Sequence, residues 1–439
     1  MTSSSLGLAP RERAHTILHE VLDRGRALDD VLHSDKRLAK LTERDRAFAR
    51  NLLATTLRRL GQIDAALADR LDKPLPRAAS AARNALRIGV CQILFLDTQT
   101  HAAVDTSVAL AAQRGPERYK GLVNAILRRV SEEAPDSIAA RYPERLNIPD
   151  WLYDSWTDAY GGNAAAEIAA ACLAVPPTDI TVKSDPAGWA ERLGGMVLAG
   201  DTVRLVRAGD IVGLPGFGDG AWWIQDAAAA LPARVLVSAM RAAGVSDVCD
   251  LCAAPGGKTM QLAAAGLSVT AVDISAGRLR TVRENLDRTA LTASLVEADA
   301  TGWTPPMPFS AVLLDAPCTA TGTIRRHPDI PHLKKPSDVG KQAAVQRKLL
   351  IHAADMVKPG GVLLYSVCSL QPAEGIDQVE AFLKARGDFA RLPVAPAEAP
   401  GFETGITRDG DLLTLPSHRA ADGGNDGFYI ARLSRRSAS

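Results

Sequence analysis

The carboxyl-terminal half of the chain, from about Leu231 onwards, alternates short apolar runs with stretches of helical periodicity. Strands are predicted at 245–251, 268–272, 294–297, 311–314, 362–366, 412–415 and 427–433. This alternation is typical of a doubly wound α/β sheet with helices on both faces. The last two runs have no helix of normal length between them, which predicts an antiparallel edge. Such a sheet binds its ligands beyond the carboxyl ends of its strands.

The first predicted strand runs into a loop of small residues that opens a helix: Cys252, Ala253, Ala254, Pro255, Gly256, Gly257 and Lys258. The two glycines allow the backbone to approach a ligand closely, and the free N–H groups of the helix start can bind an anionic group. Asp273 ends the second strand, where an acidic side chain can accept hydrogen bonds from ribose hydroxyls. Asp299 ends the third predicted strand, where an adenine edge could lie. These features predict a cofactor that contains a nucleoside.

Two cysteines follow strand ends at the same predicted edge of the sheet. Cys318 closes the run Asp315-Ala316-Pro317-Cys318 after the fourth strand, and Cys368 follows the fifth. A thiolate is a strong nucleophile when nearby charges or dipoles lower its pKa. The pair therefore predicts covalent chemistry, with the carboxyl of Asp315 beside it. Three other cysteines lie in apolar runs and are interpreted as packing residues, namely Cys91, Cys172 and Cys249.

Four motifs together resemble the RsmB (Fmu, Sun) family of ribosomal RNA cytosine-C5 methyltransferases. They are the Ala-Ala-Pro-Gly-Gly-Lys loop, the Asp-Ala-Pro-Cys box, the Cys-Ser box at 368–369 and the segment from Arg325 to Ile330. The resemblance covers nearly the whole chain and implies S-adenosylmethionine as cofactor, bound by residues 252–258, Asp273, Asp299 and Asp315. Val367, Thr319 and Gly375 depart from the family pattern, which usually has Thr, Ser and Asn there.

The resemblance also implies the reaction, methylation of carbon 5 of a cytosine in small-subunit ribosomal RNA. Carbon 5 is not nucleophilic, so a thiolate must first add to carbon 6, and Cys368 is the predicted nucleophile. The resemblance implies that Cys318 assists release of the methylated base from Cys368. Asp315 is predicted to engage the N3 and amino edge of the base. The base must be single-stranded or flipped to reach the site. Five residues near the Cys318 loop are predicted to contact RNA phosphates: Arg325, Arg326, His327, Lys334 and Lys335.

Residues 1–145 show helical spacing of apolar residues throughout. They carry 24 lysines and arginines against 18 acidic residues, although the whole chain has a net charge of only +1. The segments 86–89, 101–105 and 121–129 resemble the NusB-like domain at the front of this family, which implies an RNA-binding helical bundle. A basic helical face alone is more often simply solvated.

A proline- and charge-rich linker at 134–149 predicts a domain boundary. Residues 146–230 are predicted to form a small α+β subdomain, with strands near 179–183, 203–206 and 221–224. Residues 231–439 are predicted to form the methyltransferase domain. The run from Trp222 to Asp226 either lines the methionine end of the cofactor or fills a core.

Several classes of protein are disfavoured by the sequence. No apolar run approaches the roughly 18 to 20 residues of a membrane span, and the scattered cysteines suit a reducing compartment, so a cytoplasmic protein is expected. Cys249 and Cys252 match C-x-x-C, but no second pair or histidine cluster completes a metal site. A cytosine-C5 methyltransferase that acts on transfer RNA or another RNA stays open as the first alternative. A nicotinamide dehydrogenase and a non-enzymatic RNA-binding factor are more distant ones. The oligomeric state is not specified, and a monomer is the default expectation.

Overall fold

The computed structural model describes residues 7–96, 98–114, 117–133, 140–206 and 209–437. The chain divides into two compact units, one formed by Met1–Ala174 with Ile324–Lys334 and the other by Val175–Thr323 with Lys335–Ser439. Part of the predicted linker, residues 134–139, lies outside the described residues. The division into three domains at 145 and 230 stays a prediction. No helix within the described ranges is both long and apolar enough to cross a membrane.

The first unit is a bundle of helices, as the apolar spacing predicted. Its described helices of seven residues or more are Leu8–Leu22, Leu28–Ser34, Glu43–Arg58, Leu60–Ala68, Ser80–Phe95, Thr100–Arg114, Tyr119–Ser131, Asp150–Tyr160 and Gly162–Leu173. Ile17, Leu18, Leu86 and Ile88 lie in its core and are almost fully buried. Their three- and four-residue spacing places them on the inward face of their helices, which is why these helices pack.

The segment Ile324–Lys334 belongs to this helical unit although it directly follows the predicted catalytic loop. The Asp329 carboxylate accepts the backbone N–H of Leu28 at 2.9 Å, and His332 Nε2 lies 2.8 Å from the Leu57 carbonyl oxygen. The Arg325 carbonyl accepts a hydrogen bond from Arg58. Arg325 is only 1% exposed. The prediction that its side chain contacts RNA phosphates is therefore wrong, because the guanidinium is buried.

The second unit begins with a four-stranded antiparallel sheet in the order β2-β3-β1-β4. Its strands are β1 Thr178–Val182, β2 Gly195–Ala199, β3 Thr202–Leu205 and β4 Trp222–Ile224, with a helix Pro186–Leu193. Ile180, Val203 and Trp222 form a core under one face, so this segment has the predicted α+β architecture. The sequence did not predict β2, since Met196 and Val197 at this edge are both exposed and leave no alternating pattern.

The larger sheet of this unit has the order β10-β12-β9-β8-β5-β6-β7, with β11 paired to β12. Its strands are β5 Asp247–Leu251, β6 Ser268–Asp273, β7 Ser294–Glu297, β8 Phe309–Asp315, β9 Val357–Val367, β10 Phe389–Arg391, β11 Leu412–Thr414 and β12 Phe428–Arg435. The helix Leu231–Ala243 precedes β5, and helices of eight residues or more lie between the strands at Gly257–Ala264, Ala276–Thr289, Pro336–Asp355 and Ile376–Ala385. Strands β5 to β9 pair in parallel, and β12 runs antiparallel to β9. The predicted doubly wound sheet with an antiparallel edge is confirmed.

Candidate active site

The loop after β5 has a backbone shape that its small residues permit. Cys252 has φ 60°, and Gly256 has φ 102° at the start of the helix Gly257–Ala264. A Cβ atom on Gly256 would also lie 3.1 Å from Cγ1 of Val282. Only glycine adopts this conformation without strain. The loop therefore brings its backbone to the carboxyl end of the sheet, where the sequence predicted a cofactor.

Asp273 lies at the end of β6, as predicted, and its side chain is almost fully buried. Its carboxylate accepts the backbone N–H of Ala254 at 3.2 Å and that of Ser275 at 3.1 Å, and it forms an ion pair with Arg278 at 3.1 Å. Arg278 Nη1 also donates to Oδ1 at 3.4 Å, so all of the about four acceptor positions of this carboxylate are used while Arg278 is bound. The Arg278 side chain is 56% exposed and is the donor that a bound ligand can replace most easily.

Strand β7 ends at Glu297, as the predicted strand 294–297 does, and Asp299 follows two residues later in a turn. Asp299 is exposed, and its Oδ1 accepts from the backbone N–H of Thr301 at 2.9 Å and from the Thr301 hydroxyl at 2.7 Å. These two hydrogen bonds lower the pKa of Asp299. The backbone N–H of Ala298 donates to the carbonyl of Asp273, which ties this turn to the β6 end. The role of Asp299 stays a prediction.

Lys258 and Asp315 form an ion pair, with 2.8 Å between Nζ and Oδ2. The second oxygen of Asp315 accepts the Ser366 hydroxyl at 2.9 Å, so both oxygens are oriented. Burial opposes the charged ammonium, but Asp315 and the charge of Cys368 outweigh burial, and the pKa of Lys258 is raised. Its Nζ also lies 5.2 Å from the centre of the Phe428 ring. Lys258 was predicted to contact the cofactor or the substrate, and its position makes it the ion-pair partner of Asp315.

The two predicted catalytic thiols meet at this edge, with 3.4 Å between Cys318 Sγ and Cys368 Sγ. Both cysteines are free and half-buried, and they follow the neighbouring parallel strands β8 and β9. The hydrogen bond to Cys368, together with burial, raises the pKa of the Cys318 thiol well above its ordinary value. Cys318 is therefore suited to hold a proton while Cys368 carries negative charge.

Cys252 of the cofactor loop is a poor nucleophile by comparison. Burial, with the charges of Asp315 and Asp273, raises its pKa to about 12. Trp222 and Trp223 are almost fully buried in apolar clusters, so they fill core. The Trp223 indole N–H donates to Gln225 at 2.8 Å.

Two buried acids in this unit were missed by the sequence reasoning. Asp250 lies inside β5 and accepts the Thr259 hydroxyl at 2.5 Å, and burial raises its pKa to about 7. Glu374 lies behind the two cysteines and is also fully buried. An acidic residue inside an apolar strand was the available signal for Asp250. Nothing in the spacing of Glu374 marks it as part of the site.

Comparison with known proteins finds a family model that matches a segment in each half of the chain, and relatives that match nearly its whole length. Residues 240–434 match the model of the 16S rRNA methyltransferase RsmB/F family, and residues 8–132 match the NusB family. Ribosomal RNA small subunit methyltransferase B of Pseudomonas putida is 35% identical over 449 residues, covering 98% of this chain and 99% of that protein. The protein of the same name from Serratia proteamaculans is 34% identical over 440 residues, covering 96% of this chain and 98% of that protein.

Solved structures show the same fold at lower identity. The crystal structure of PH0851 superposes with a TM-score of 0.76 at 20% identity and covers 99% of both chains. The structure of NSun6 from Pyrococcus horikoshii with SFG has a TM-score of 0.55 at 18% identity, covering 66% of this chain and 99% of that one.

Proposed function

The chain belongs to the family of ribosomal RNA small subunit methyltransferase B, and we propose that it methylates carbon 5 of a cytosine in small-subunit ribosomal RNA. The observation that carries this proposal is the pair of thiols 3.4 Å apart at the carboxyl ends of two parallel strands. Methyl transfer to an oxygen or an exocyclic nitrogen needs no thiol. Addition to carbon 6 of a pyrimidine needs one, and release of the product makes use of a second.

The cofactor of this family is S-adenosylmethionine, and the residues at the sheet edge fit it. The backbone of the loop from Cys252 to Lys258, the Asp273 carboxylate after displacement of Arg278, and the turn at Asp299 would hold it. When bound, it supplies an electrophilic methyl group to the carbon that the thiol addition has made nucleophilic. Lys258 and Asp315 lie beside this region and face the base rather than the methyl donor in the proposed arrangement.

Cys368 adds through Sγ to carbon 6 of the cytosine and gives an enamine with electron density at carbon 5. Negative charge develops at N3 during this addition and must be stabilised. Asp315 engages N3 and the amino group of the base, with its carboxyl plane fixed by Ser366 and Lys258. The Lys258 ammonium keeps its proton, because its pKa is raised, and its positive charge offsets the negative charge that develops on the base.

Cys318 acts after the methyl group has been transferred. The hydrogen bond to Cys368 is the largest cause of the raised pKa of Cys318. When Cys368 Sγ becomes bonded to carbon 6, the hydrogen bond and the negative charge of Cys368 no longer contribute to raising the pKa of Cys318, while burial still does. Cys318 then loses its proton to water and takes the proton from carbon 5. The electron pair of that C–H bond re-forms the ring double bond and expels Cys368 as a thiolate.

The RNA itself is proposed to be bound in part by the NusB-like unit, whose sequence carries an excess of basic residues. Phosphate contacts of this kind position RNA without reading its sequence. The target base is proposed to be flipped or single-stranded, because both thiols are half-buried and cannot reach a base in a stacked duplex.

Methylation assays with the two cysteine variants test the mechanism. Cys368→Ala should abolish both methylation of small-subunit ribosomal RNA and the covalent protein–RNA adduct. Cys318→Ala should accumulate that adduct, visible as a retarded band on a denaturing gel. An adduct formed by Cys368→Ala and not by Cys318→Ala would reverse the two roles. Bisulfite sequencing of ribosomal and transfer RNA from a deletion strain tests the substrate, since loss of 5-methylcytosine from transfer RNA alone would refute the ribosomal assignment.

A further inference from the structure

A fully buried carboxylate connects the loops that carry the two cysteines. Glu374 Oε1 accepts the backbone N–H of Thr319 at 2.8 Å and Nε2 of Gln346 at 3.0 Å. Its Oε2 accepts the Ser369 hydroxyl at 2.5 Å and the Thr319 hydroxyl. Gln346 Nε2 also donates to the carbonyl of Pro317 at 2.9 Å. All four acceptor positions of the carboxylate are therefore used within the protein.

The donors are the residues that directly follow the two thiols in the chain. Thr319 comes after Cys318, and Ser369 comes after Cys368. Fixing both neighbours to one carboxylate limits how far either Sγ can move from the other. The two loops also meet where the Gly322 N–H donates to the Cys368 carbonyl at 3.0 Å, but that backbone bond is independent of side chains. Thr321 Oγ1, in the Cys318 loop, also accepts the Leu370 N–H at 3.0 Å, but Glu374 is the charged side chain that bonds the residues directly after both thiols.

From this geometry we propose that Glu374 is a positioning residue that keeps Cys318 next to Cys368 during the reaction, an inference that rests on the function proposed above. Glu374 has no acceptor left for substrate, so it acts through the cysteines and not on the base. Burying a carboxylate costs free energy, and apolar residues of similar size often stabilise a fold equally well. The free-energy cost of burying this carboxylate is offset by its four hydrogen bonds. These bonds also hold the two sulfur atoms 3.4 Å apart.

The charge of Glu374 acts in the same direction as its hydrogen bonds. After the hydrogen bond to Cys368, burial and the charge of Cys368, the negative charge of Glu374 contributes to the raised pKa of the Cys318 thiol. A protonated Cys318 is the form needed while Cys368 is the nucleophile. Glu374 therefore supports both the place and the protonation state of Cys318.

Disulfide formation between the two thiols measures their separation without RNA or methyl transfer. The reagent is diamide, whose azo group takes up the two electrons and two protons that the thiols lose when the S–S bond forms. Glu374→Gln keeps the shape but offers an N–H₂ group where an oxygen accepted, and Thr319→Val removes one hydroxyl at nearly constant volume. Thr319→Ser keeps the hydroxyl and is the matched control.

Glu374→Gln and Thr319→Val should slow disulfide formation about tenfold or more, the factor expected when a hydrogen bond to a charged group is lost. Thr319→Ser should stay within about twofold of the wild type, by the same reasoning. In single-turnover assays with RNA, both slow variants should release the adduct more slowly relative to its formation. All variants are compared below their melting onset, and S-adenosylmethionine affinity by calorimetry should be unchanged.

Wild-type disulfide rates in both Glu374→Gln and Thr319→Val would overturn the positioning role. Equal slowing of adduct formation and release would also overturn it, since a general loss of structure affects both steps. The proposed function fails separately, by continued methylation in Cys368→Ala, and the disulfide rates retain their meaning in that case.

Discussion

The buried Asp250 should make the second unit less stable as the pH rises. Most carboxyl groups in folded proteins have the opposite effect, because their pKa is lowered by folding. Its side chain is fully buried, and its pKa is raised from 3.8 to about 7 by that burial. The folded protein therefore binds this proton more tightly than the unfolded chain does. The stability that the protonated group contributes is fully present below about pH 4 and is lost as the pH rises towards 7. Asp250→Asn is neutral at every pH and has almost the same shape, so it should remove this dependence.

The magnitude follows from the pKa difference. Between pH 5 and pH 8 the wild type should lose roughly 2.5 kcal/mol relative to Asp250→Asn, since each pKa unit corresponds to about 1.4 kcal/mol. For a unit of this size that difference shifts the melting temperature by about 5 to 10 °C. Differential scanning calorimetry of both proteins at pH 5, 6, 7 and 8 measures it. Thr259→Val, which removes the hydroxyl donor but not the acid, should keep a pH dependence at least as steep as that of the wild type. Parallel melting curves for wild type and Asp250→Asn would refute the assignment of a raised pKa to this residue.

Two further predictions concern the cofactor loop and its acidic neighbour. Gly256→Ala should weaken S-adenosylmethionine binding and cost about 1 to 2 kcal/mol of stability, because φ 102° is unfavourable for alanine and its Cβ would press on Val282. Gly257→Ala is the control, since its Cβ would meet only Gln225 at an ordinary 3.5 Å; equal losses in both variants by calorimetry and thermal melting would contradict this reasoning. Asp273→Ala should lower S-adenosylmethionine affinity about ten- to a hundredfold through loss of a charged hydrogen bond, and an unchanged dissociation constant would place the ribose elsewhere.

Much of the fold could be predicted because its elements carry their own periodicity. The strand run at 268–272 and the helix spacing at Ile17 and Leu18 each specify a local structure that the whole molecule then keeps. The three-residue strand β10 was missed, since Phe389–Arg391 is too short to show alternation. The thiol pair could be predicted because both cysteines follow strands that the alternation already placed side by side.

Contacts between residues far apart in the chain were the part that the sequence could not supply. Glu374 and Thr319 are 55 residues apart, and no periodic pattern connects them. Asp250 was visible as an acid in an apolar strand, but its protonation depends on burial by the elements packed around it. The prediction for Arg325 was wrong for the same reason. Its charge suggested an exposed contact with RNA, but the residue is buried and its carbonyl accepts a hydrogen bond from Arg58, 267 residues earlier in the chain.

The position of that segment also limits where RNA contacts can arise near the active site. Only five residues separate Cys318 from Ile324, and residues 324–334 are part of the helical unit. There Asp329 is hydrogen-bonded to the backbone N–H of Leu28, and His332 to the carbonyl of Leu57. Within this segment Arg325 is buried, whereas Arg326, His327 and Lys334 are half-buried. Lys335 lies just outside it and is exposed, so of the five residues predicted to contact phosphates it is the one whose charge is most available to RNA. A chain that passes from a catalytic loop into a second unit and back links the two covalently at both ends of the segment.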